Sequence, residues 1–500
     1  VHFNDLHLKF KSKSVYFIVM IVSNNESGGI MKIRFIEPGN LPYRKSIKNL
    51  YVYDKYIRTP SQGAMTLATI VNQHGHDVKM YSESISRIIW DDVMDADIVF
   101  ISCFTFNANR GYELAQKIKA ESKAIVVMGG LHITLNPSEA IQHCDYLLIG
   151  EGDETIVQFI QGIEKHEPLT FPGVVYMENG QIINTGMPNS PQNIDVIPSR
   201  DLVYNFKKMT GHNTIWPQVH ASRGCPYNCD YCALVAAFGR QVRVRSPKAV
   251  VEDIKQAIEF FDEGNHRIAK MLWITDDNFF ANREWAIEVL NLIIEEKIQY
   301  HFTIQARYEV GYDDEMLELL KKAGFNELAL GIEFLEDESF QTYNKKSSYQ
   351  EILDAVKNIQ SHGMRARGLF IFGADNHTVG VGKRLADFVI KHDISGVLIQ
   401  SMYFIPGTQV YETHKDSLIE SDNWSRCTGK VVHYPKNISA IDLQKEIITA
   451  SRMIYSRKRL INALLFKKGM ERLLFVGEYF WQKDVRHELR KDLKYLKNRI

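Results

Sequence analysis

From Met31 to about Pro168, short apolar runs alternate with stretches whose hydrophobic positions recur every three to four residues. "KIRFIEP" has strand character and ends on a Pro-Gly turn. "SQGAMTLATIVNQ" has helical periodicity, stops at Gly75 and gives way to a second strand, "DVKMYS". "ADIVFISCFT" is apolar without interruption, as strands covered on both faces of a parallel sheet are. "GYELAQKIKAES" is the next amphipathic helix, and "KAIVVMGGLH" and "CDYLLIGEGDET" are strands that run into glycine turns. This alternation predicts a doubly wound α/β domain whose ligand edge lies at the C-terminal strand ends.

Polar residues and glycines collect at those ends: Gly39, Ser102 to Thr105, Gly129-Gly130 and Gly150 to Gly152. No G-x-G-x-x-G follows the first strand, which speaks against NAD or FAD. Such a spread suits one broad, flat ligand lying across the whole edge. Turn chemistry alone accounts for the glycines equally well.

"TFPGVVYMENGQIINTG" reads as a strand pair turning at Asn179-Gly180, and the polar, Pro-bearing "MPNSPQNIDVIPSRDL" reads as a connector. Beyond it, six strand-like runs alternate with helices: "WPQVHASRG", "KMLWITDDNFF", "QYHFTIQAR", "ELALGIEF", "RARGLFIFGAD" and "GVLIQSMYFIPGT". Six βα units predict a parallel barrel or part-barrel, with its chemistry at the C-terminal strand ends. The three clustered cysteines, Asp276-Asp277, Glu333, Asp375 and Pro406-Gly407 all fall there. The expected divisions are 1–30, either an extension upstream of a natural start at Met31 or an ordinary floppy N-terminus; 31–168, the doubly wound domain; 169–215, hairpin and connector; 216–412, the part-barrel; and 413–500, mostly helical.

Composition narrows the setting. With 500 residues, 45% of them hydrophobic, the chain can fill two or three cores. Lys+Arg and Asp+Glu both number 60, so no nucleic-acid partner is expected. The early apolar run "VYFIVMIV" is too short to span a bilayer. Six cysteines in a chain this long make no disulfide framework, so a reducing, cytoplasmic setting is expected. The tail from Arg457 is basic with periodic leucines. It reads as an amphipathic helix, either a solvated face packed on the body or a contact with a membrane surface or an anionic substrate.

"GCPYNCDYC" holds three of the six thiols in nine residues. A disulfide would strand one of them. Structural zinc wants four ligands, and only His220 is near as a fourth. Three thiolates spaced C-x3-C-x2-C can hold three corners of a [4Fe–4S] cubane and leave the fourth iron open to a chelating substrate.

That spacing, with Tyr231 directly before the last cysteine, resembles the radical S-adenosylmethionine (SAM) enzymes. With the domain order, the resemblance covers nearly all of the chain from Met31 and points to the cobalamin-dependent, methylase-like branch. It implies a Rossmann-like corrinoid-binding domain, a radical SAM (β/α)6 partial barrel and a helical C-terminal tail. It makes Cys225, Cys229 and Cys232 the cluster ligands and sets Tyr231 beside the adenine. Thr275, Asp276 and Asp277 become candidates for holding the methionine amine, with a helix N-cap as the alternative role. Glu333 matches the "GIE" of the fourth strand end, although Phe334 replaces the usual Ser. Ser102, Thr105, Gly129, Gly130, His132 and Gly150 match the corrinoid edge. "EPGNLPYR" lacks the histidine that ligates cobalt in His-on corrinoid proteins, so bound cobalamin is expected to lack that ligand. The implied cofactors are a [4Fe–4S] cluster, SAM and cobalamin. The implied partners are a small-molecule or lipid substrate and an electron donor such as flavodoxin or ferredoxin. The implied reaction is methylation of an unactivated carbon. A cyclase or rearrangement enzyme without methyl transfer, and a non-catalytic corrinoid or metal-binding sensor, are the alternatives.

Overall fold

The computed structural model describes residues 29–40, 59–210, 215–265 and 270–500, except the side chain of Met470. The expected extension at 1–30 falls almost wholly outside the described residues, as does the second half of "EPGNLPYR".

The first sheet has seven strands in the order β2-β1-β3-β4-β5-β6-β7. They are β1 (Lys32–Glu37), β2 (Asp77–Ser82), β3 (Ile98–Ser102), β4 (Ile125–Gly129), β5 (Tyr146–Leu148), β6 (Val174–Glu178) and β7 (Gln181–Asn184). The first five are parallel, and the order reverses between β1 and β3, where a ligand crevice opens in such sheets. The hairpin β6–β7 adds antiparallel to β5, with Leu148 opposite Val174, so it extends this sheet instead of standing apart. Asn179 (φ 50°) and Gly180 (φ 78°) supply its left-handed turn. Helices α1 (Gln62–Gln73), α2 (Ala108–Glu121), α3 (Leu131–Leu135) and α4 (Thr155–Lys165) connect or cover the strands.

The second sheet has six parallel strands in chain order: β8 (Gln218–Val219), β11 (Met271–Ile274), β12 (His301–Ala306), β13 (Phe325–Glu333), β14 (Arg365–Phe372) and β15 (Val397–Ser401). β8 is short because the chain bends off at Ser222. There β9 (Ser222–Arg223) pairs antiparallel with β10 (Arg243–Val244). Between these two runs the cysteine loop and α5 (Ala233–Phe238). Helices α6 (Pro247–Asp262) and α7 (Arg283–Glu295) bury Val250, Ile254, Val289 and Leu290 against the strands in one continuous core.

Beyond β15, helices α8 (Ala440–Ile454), α9 (Arg457–Phe466) and α10 (Gly469–Arg499) pack back on the barrel. The Tyr455 hydroxyl accepts from Val397 N and donates to Glu478, and Glu478 pairs with Arg367. Among the described residues no helix is long and apolar enough to cross a membrane.

The C-terminal edges of the two sheets face each other. Helix α3, which follows β4, packs on α5, which follows the cysteines. A Cβ on Gly407, beyond β15, would lie 3.0 Å from Leu135 Cδ2. Residues 422–425 return to clasp the first domain: Trp424 Nε1 donates to Glu139 at 2.9 Å, and Ser425 N donates to Asn109 at 3.0 Å.

Candidate active site

Cys225, Cys229 and Cys232 lie on one partly exposed loop. Gly224 opens it in a left-handed conformation (φ 89°), and a Cβ there would fall on Gln241 O. The base of the loop is held by the end of β11. Asp276 accepts from Ala221 N and from Ser222 Oγ, both at 2.6 Å, and Asp277 accepts from Gly224 N at 2.9 Å. Burial pushes Asp276 up to about 7 and Asp277 up to about 6. Neither aspartate caps the next helix; Asn282 does, accepting from Trp285 N at 3.2 Å. Thr275 Oγ1 is turned to Val219 O at 3.4 Å. The far side of the loop is pinned as well. Asn344 Nδ2 donates to Asn228 O at 2.8 Å, Asp230 N to Tyr343 O at 3.3 Å, and Val410 N to Asp230 O at 3.1 Å.

The surroundings of the thiols are cationic and aromatic. Asn278 Nδ2 stands 4.0 Å from Cys225 Sγ. The Arg307 guanidinium, just past β12, covers the Tyr227 ring at 3.6 Å and pairs with Glu309 at 2.6 Å. Lys345 Nζ donates to Gly331 O at 2.6 Å and lies 3.4 Å from Glu333. Both cations lie within electrostatic reach of Cys229. Burial pushes Cys225 up and Cys232 up to about 11, so these thiols favour the neutral form until a metal replaces the proton. Among the described residues no three His, Cys, Asp or Glu side chains converge as ligands of one ion do. Thiolates on separate corners of a cubane need no such convergence, so the donor set fits an iron–sulfur cluster better than zinc.

Tyr231 points its ring edge-on at Phe334 (6.1 Å between centroids), and Phe334 stacks on Tyr343 at 5.5 Å. Phe334, where the resembled family has Ser, is 2% exposed and fills this aromatic cluster. Glu333 ends β13 in the left-handed region (φ 68°), where the register with β14 shifts. A non-glycine residue in that conformation carries strain that the surroundings must offset. The Lys345 ammonium stands beside it.

On the facing edge, the glycines answer to the protein's own packing. A Cβ on Gly130 (φ 98°) would lie 2.7 Å from Cys103 O, one on Gly150 (φ 75°) 2.7 Å from Pro188 Cδ, and one on Gly129 3.1 Å from Leu148 O. The ligand signal lies elsewhere. Thr105 Oγ1 and His132 Nδ1 are buried without a hydrogen-bond partner, an arrangement that costs stability unless a ligand or water answers it. Phe104 and Phe106 stand exposed beside Thr105, their rings parallel at 5.8 Å. Ser102 is half-buried at the end of β3. His132 is fully enclosed: Nε2 meets the Tyr112 hydroxyl at 3.1 Å and the ring lies 5.1 Å from that of Trp424. Orphaned polar atoms beside an aromatic wall fit a wide amphipathic ligand such as a corrinoid.

The structure thus brings the three cysteines, Tyr231 and Glu333 to one mouth, and sets Thr275, Asp276 and Asp277 underneath the loop. Ser102, Thr105, Gly129, Gly130, His132 and Gly150 lie along the opposing edge. Sequence reasoning missed Asn278, Arg307 and Lys345. Arg307 ends a strand run, which is a usable signal; Lys345, in "NKKSS", carries none.

Residues 219–389 match the model of the Radical SAM superfamily, and residues 56–160 match the B12 binding domain. The chain is 27% identical over 439 residues to the bacteriochlorophyllide d C-8(2)-methyltransferase of Chlorobaculum tepidum, covering 82% of this chain and 89% of that one. It is 23% identical over 471 residues to the hopanoid C-2 methylase of Rhodopseudomonas palustris, covering 87% and 85%. The fold matches that of the radical S-adenosylmethionine methyltransferase TsrM from Kitasatospora setae, solved with cobalamin and a [4Fe–4S] cluster bound. That match has a TM-score of 0.66 and 13% identity, and covers 93% of this chain and 100% of that one. A B12-binding domain set against a part-barrel with an open three-cysteine loop defines a class of radical enzymes. This chain carries a B12-binding domain followed by a radical SAM domain.

Proposed function

We propose that this protein methylates an unactivated carbon of a small organic or lipid substrate held between the two facing edges. The observation that carries this reading is their juxtaposition: the orphaned polar edge of the first domain stands opposite the cysteine mouth of the second. Together, a [4Fe–4S] cluster, SAM and cobalamin supply a hydrogen-abstracting radical and a transferable methyl group. The chain's own work is placement. Cys225, Cys229 and Cys232 would hold the cluster, and Arg307 and Lys345 offset its negative charge. Tyr231 would offer an aromatic edge to the adenine, and Thr275, Asp276 and Asp277, beneath the loop, are the candidates for holding the SAM amine. Thr105, with Phe104 and Phe106, would receive the corrinoid.

The test is anaerobic turnover of reconstituted protein with candidate lipids and tetrapyrroles, using flavodoxin or ferredoxin as electron donor. Methyl transfer adds the mass of one methylene to the product. Product formation without that gain would mean cyclisation or rearrangement. Absence of 5′-deoxyadenosine from reduced protein and SAM would mean a sensor.

The C-terminal helices suit a lipid substrate. Ile461, Leu464, Leu465, Phe466 and Leu473 are exposed by 48% or more, and Arg457, Lys458, Lys468 and Arg472 stand exposed among them. An apolar face rimmed by cations fits an anionic membrane surface. Co-sedimentation with phosphatidylglycerol vesicles, but not with phosphatidylcholine vesicles, is the expected result; equal recovery with both would remove the membrane from the reading.

A further inference from the structure

In the ribbon of β9 and β10, Arg223 sits directly opposite Arg243. Like charges opposed across a ladder repel. The first domain neutralises both. Arg223 Nη1 lies 2.8 Å from Glu151 Oε2 and 2.8 Å from Asp153 Oδ2, and Nη2 lies 2.9 Å from Asp153 Oδ1. Arg243 Nη1 pairs with Glu151 Oε1. The side chains of Glu151, Asp153 and Arg243 are each 9% exposed and that of Arg223 is 19% exposed. A cluster of two cations and two carboxylates so shielded from water holds only while complete, because losing one member strands an uncompensated charge.

The two ends of this cluster are the two halves of the site. Glu151 and Asp153 belong to the turn after β5, next to Gly150 on the corrinoid edge. Arg223 is followed covalently by Gly224 and Cys225. Gly224 has no room for a Cβ, and its N–H is held by Asp277, so no slack lies between Arg223 and the first thiol. A shift of the β5 turn therefore reaches the cysteine loop without passing a hinge.

We propose that Glu151, Asp153, Arg223 and Arg243 form an interdomain latch that couples occupancy of the corrinoid edge to the geometry of the cluster loop. This rests on the cobalamin reading given above. The four are positioning residues and touch no reacting atom. Coupling of this kind is reciprocal: the cluster changes cobalamin affinity by the same factor that cobalamin changes the cluster's.

The experiment is spectrophotometric titration of cobalamin into anaerobically purified full-length protein, with the cluster intact and after its removal by chelation. In the unsubstituted protein the two dissociation constants are expected to differ by about fivefold or more. The difference should shrink in Asp153→Asn, where Glu151 still serves both arginines, and vanish in Glu151→Gln/Asp153→Asn, with iron and sulfide per chain unchanged. Arg223→Lys, which keeps the charge but loses the fork, should retain part of it. Independently of any cofactor, trypsin should cut after Arg243 about tenfold faster in Asp153→Asn than in the unsubstituted chain, an opening made easier by about 1.4 kcal/mol. Equal constants in an unsubstituted protein that does bind cobalamin, or a full difference surviving in the double variant, would overturn the latch. A protein that binds no cobalamin at all would instead overturn the functional reading beneath it.

Discussion

The barrel mouth and the edge that faces it solve opposite problems. At the mouth, nearly every charged group is already spent on the protein. Asp276 and Asp277 hold the loop's backbone, Glu333 faces Lys345, and Arg307 is divided between Tyr227 and Glu309. On the facing edge, Thr105 Oγ1 is left without a partner and Phe104 and Phe106 stand exposed beside it. A small cluster tolerates little misplacement and needs a rigid cage. A broad ligand brings many contacts of its own and needs a surface kept open for it.

The sharpest test of that contrast removes the cage's purpose. Cys225→Ala, Cys229→Ala and Cys232→Ala should each abolish the broad visible absorption of the cluster in anaerobically purified protein. Cys427→Ala, at a half-buried thiol that desolvation pushes up to about 12, should keep it. Retention in any of the first three would break the assignment of the mouth.

Next in size is the scaffold beneath the loop. Asp276→Ala strands a buried N–H and a buried hydroxyl, and should cost about 3 kcal/mol in chemical denaturation. A loss under about 0.5 kcal/mol would mean that the mouth is not rigid in the sense argued here.

On the opposite edge, burial pushes Glu37, at the end of β1, up to about 7. A carboxyl raised in the fold keeps its proton between the unfolded value and the folded one, while the unfolded chain has already lost it. Stability of the cobalamin-free protein should therefore fall as pH rises from about 4 to about 7, by on the order of 3 kcal/mol for this group. Glu37→Gln should flatten that part of the profile, read from denaturation midpoints across the range; an unchanged slope would exclude Glu37 as its source.

Gly130→Ala should cost about 2 kcal/mol, through its left-handed backbone and the Cys103 carbonyl in the way. Denaturation of the apo protein checks it. The smallest expected effect is none. Enclosed by Tyr112 and Trp424, His132 should add no nitrogen splitting to the Co(II) electron paramagnetic resonance spectrum, and His132→Ala should leave that spectrum unchanged. Splitting that vanishes in His132→Ala would make it a cobalt ligand.

Periodicity made both sheets legible, because runs such as "ADIVFISCFT" and "RARGLFIFGAD" carry their environment in their own residues. The cysteine loop was legible for the same reason: its three thiols lie within eight positions of one another. Asp276 and Asp277 were visible as residues but not as a scaffold, since their partners lie 53 to 55 positions away. "GEGDET" showed its glycines, and its acids could be read only once Arg223, about 70 positions on, stood beside them. The hairpin announced its turn but not its neighbour, because edge pairing to β5 leaves no mark in the local pattern.

The clasp of Trp424 on Glu139 joins residues 285 positions apart. During synthesis the first sheet can form as soon as β7 leaves the ribosome, yet this fastening arrives only after the entire barrel has been made. The nascent chain therefore presents that edge to the surroundings while about 240 further residues are added, and the clasp closes on it before the C-terminal helices are made.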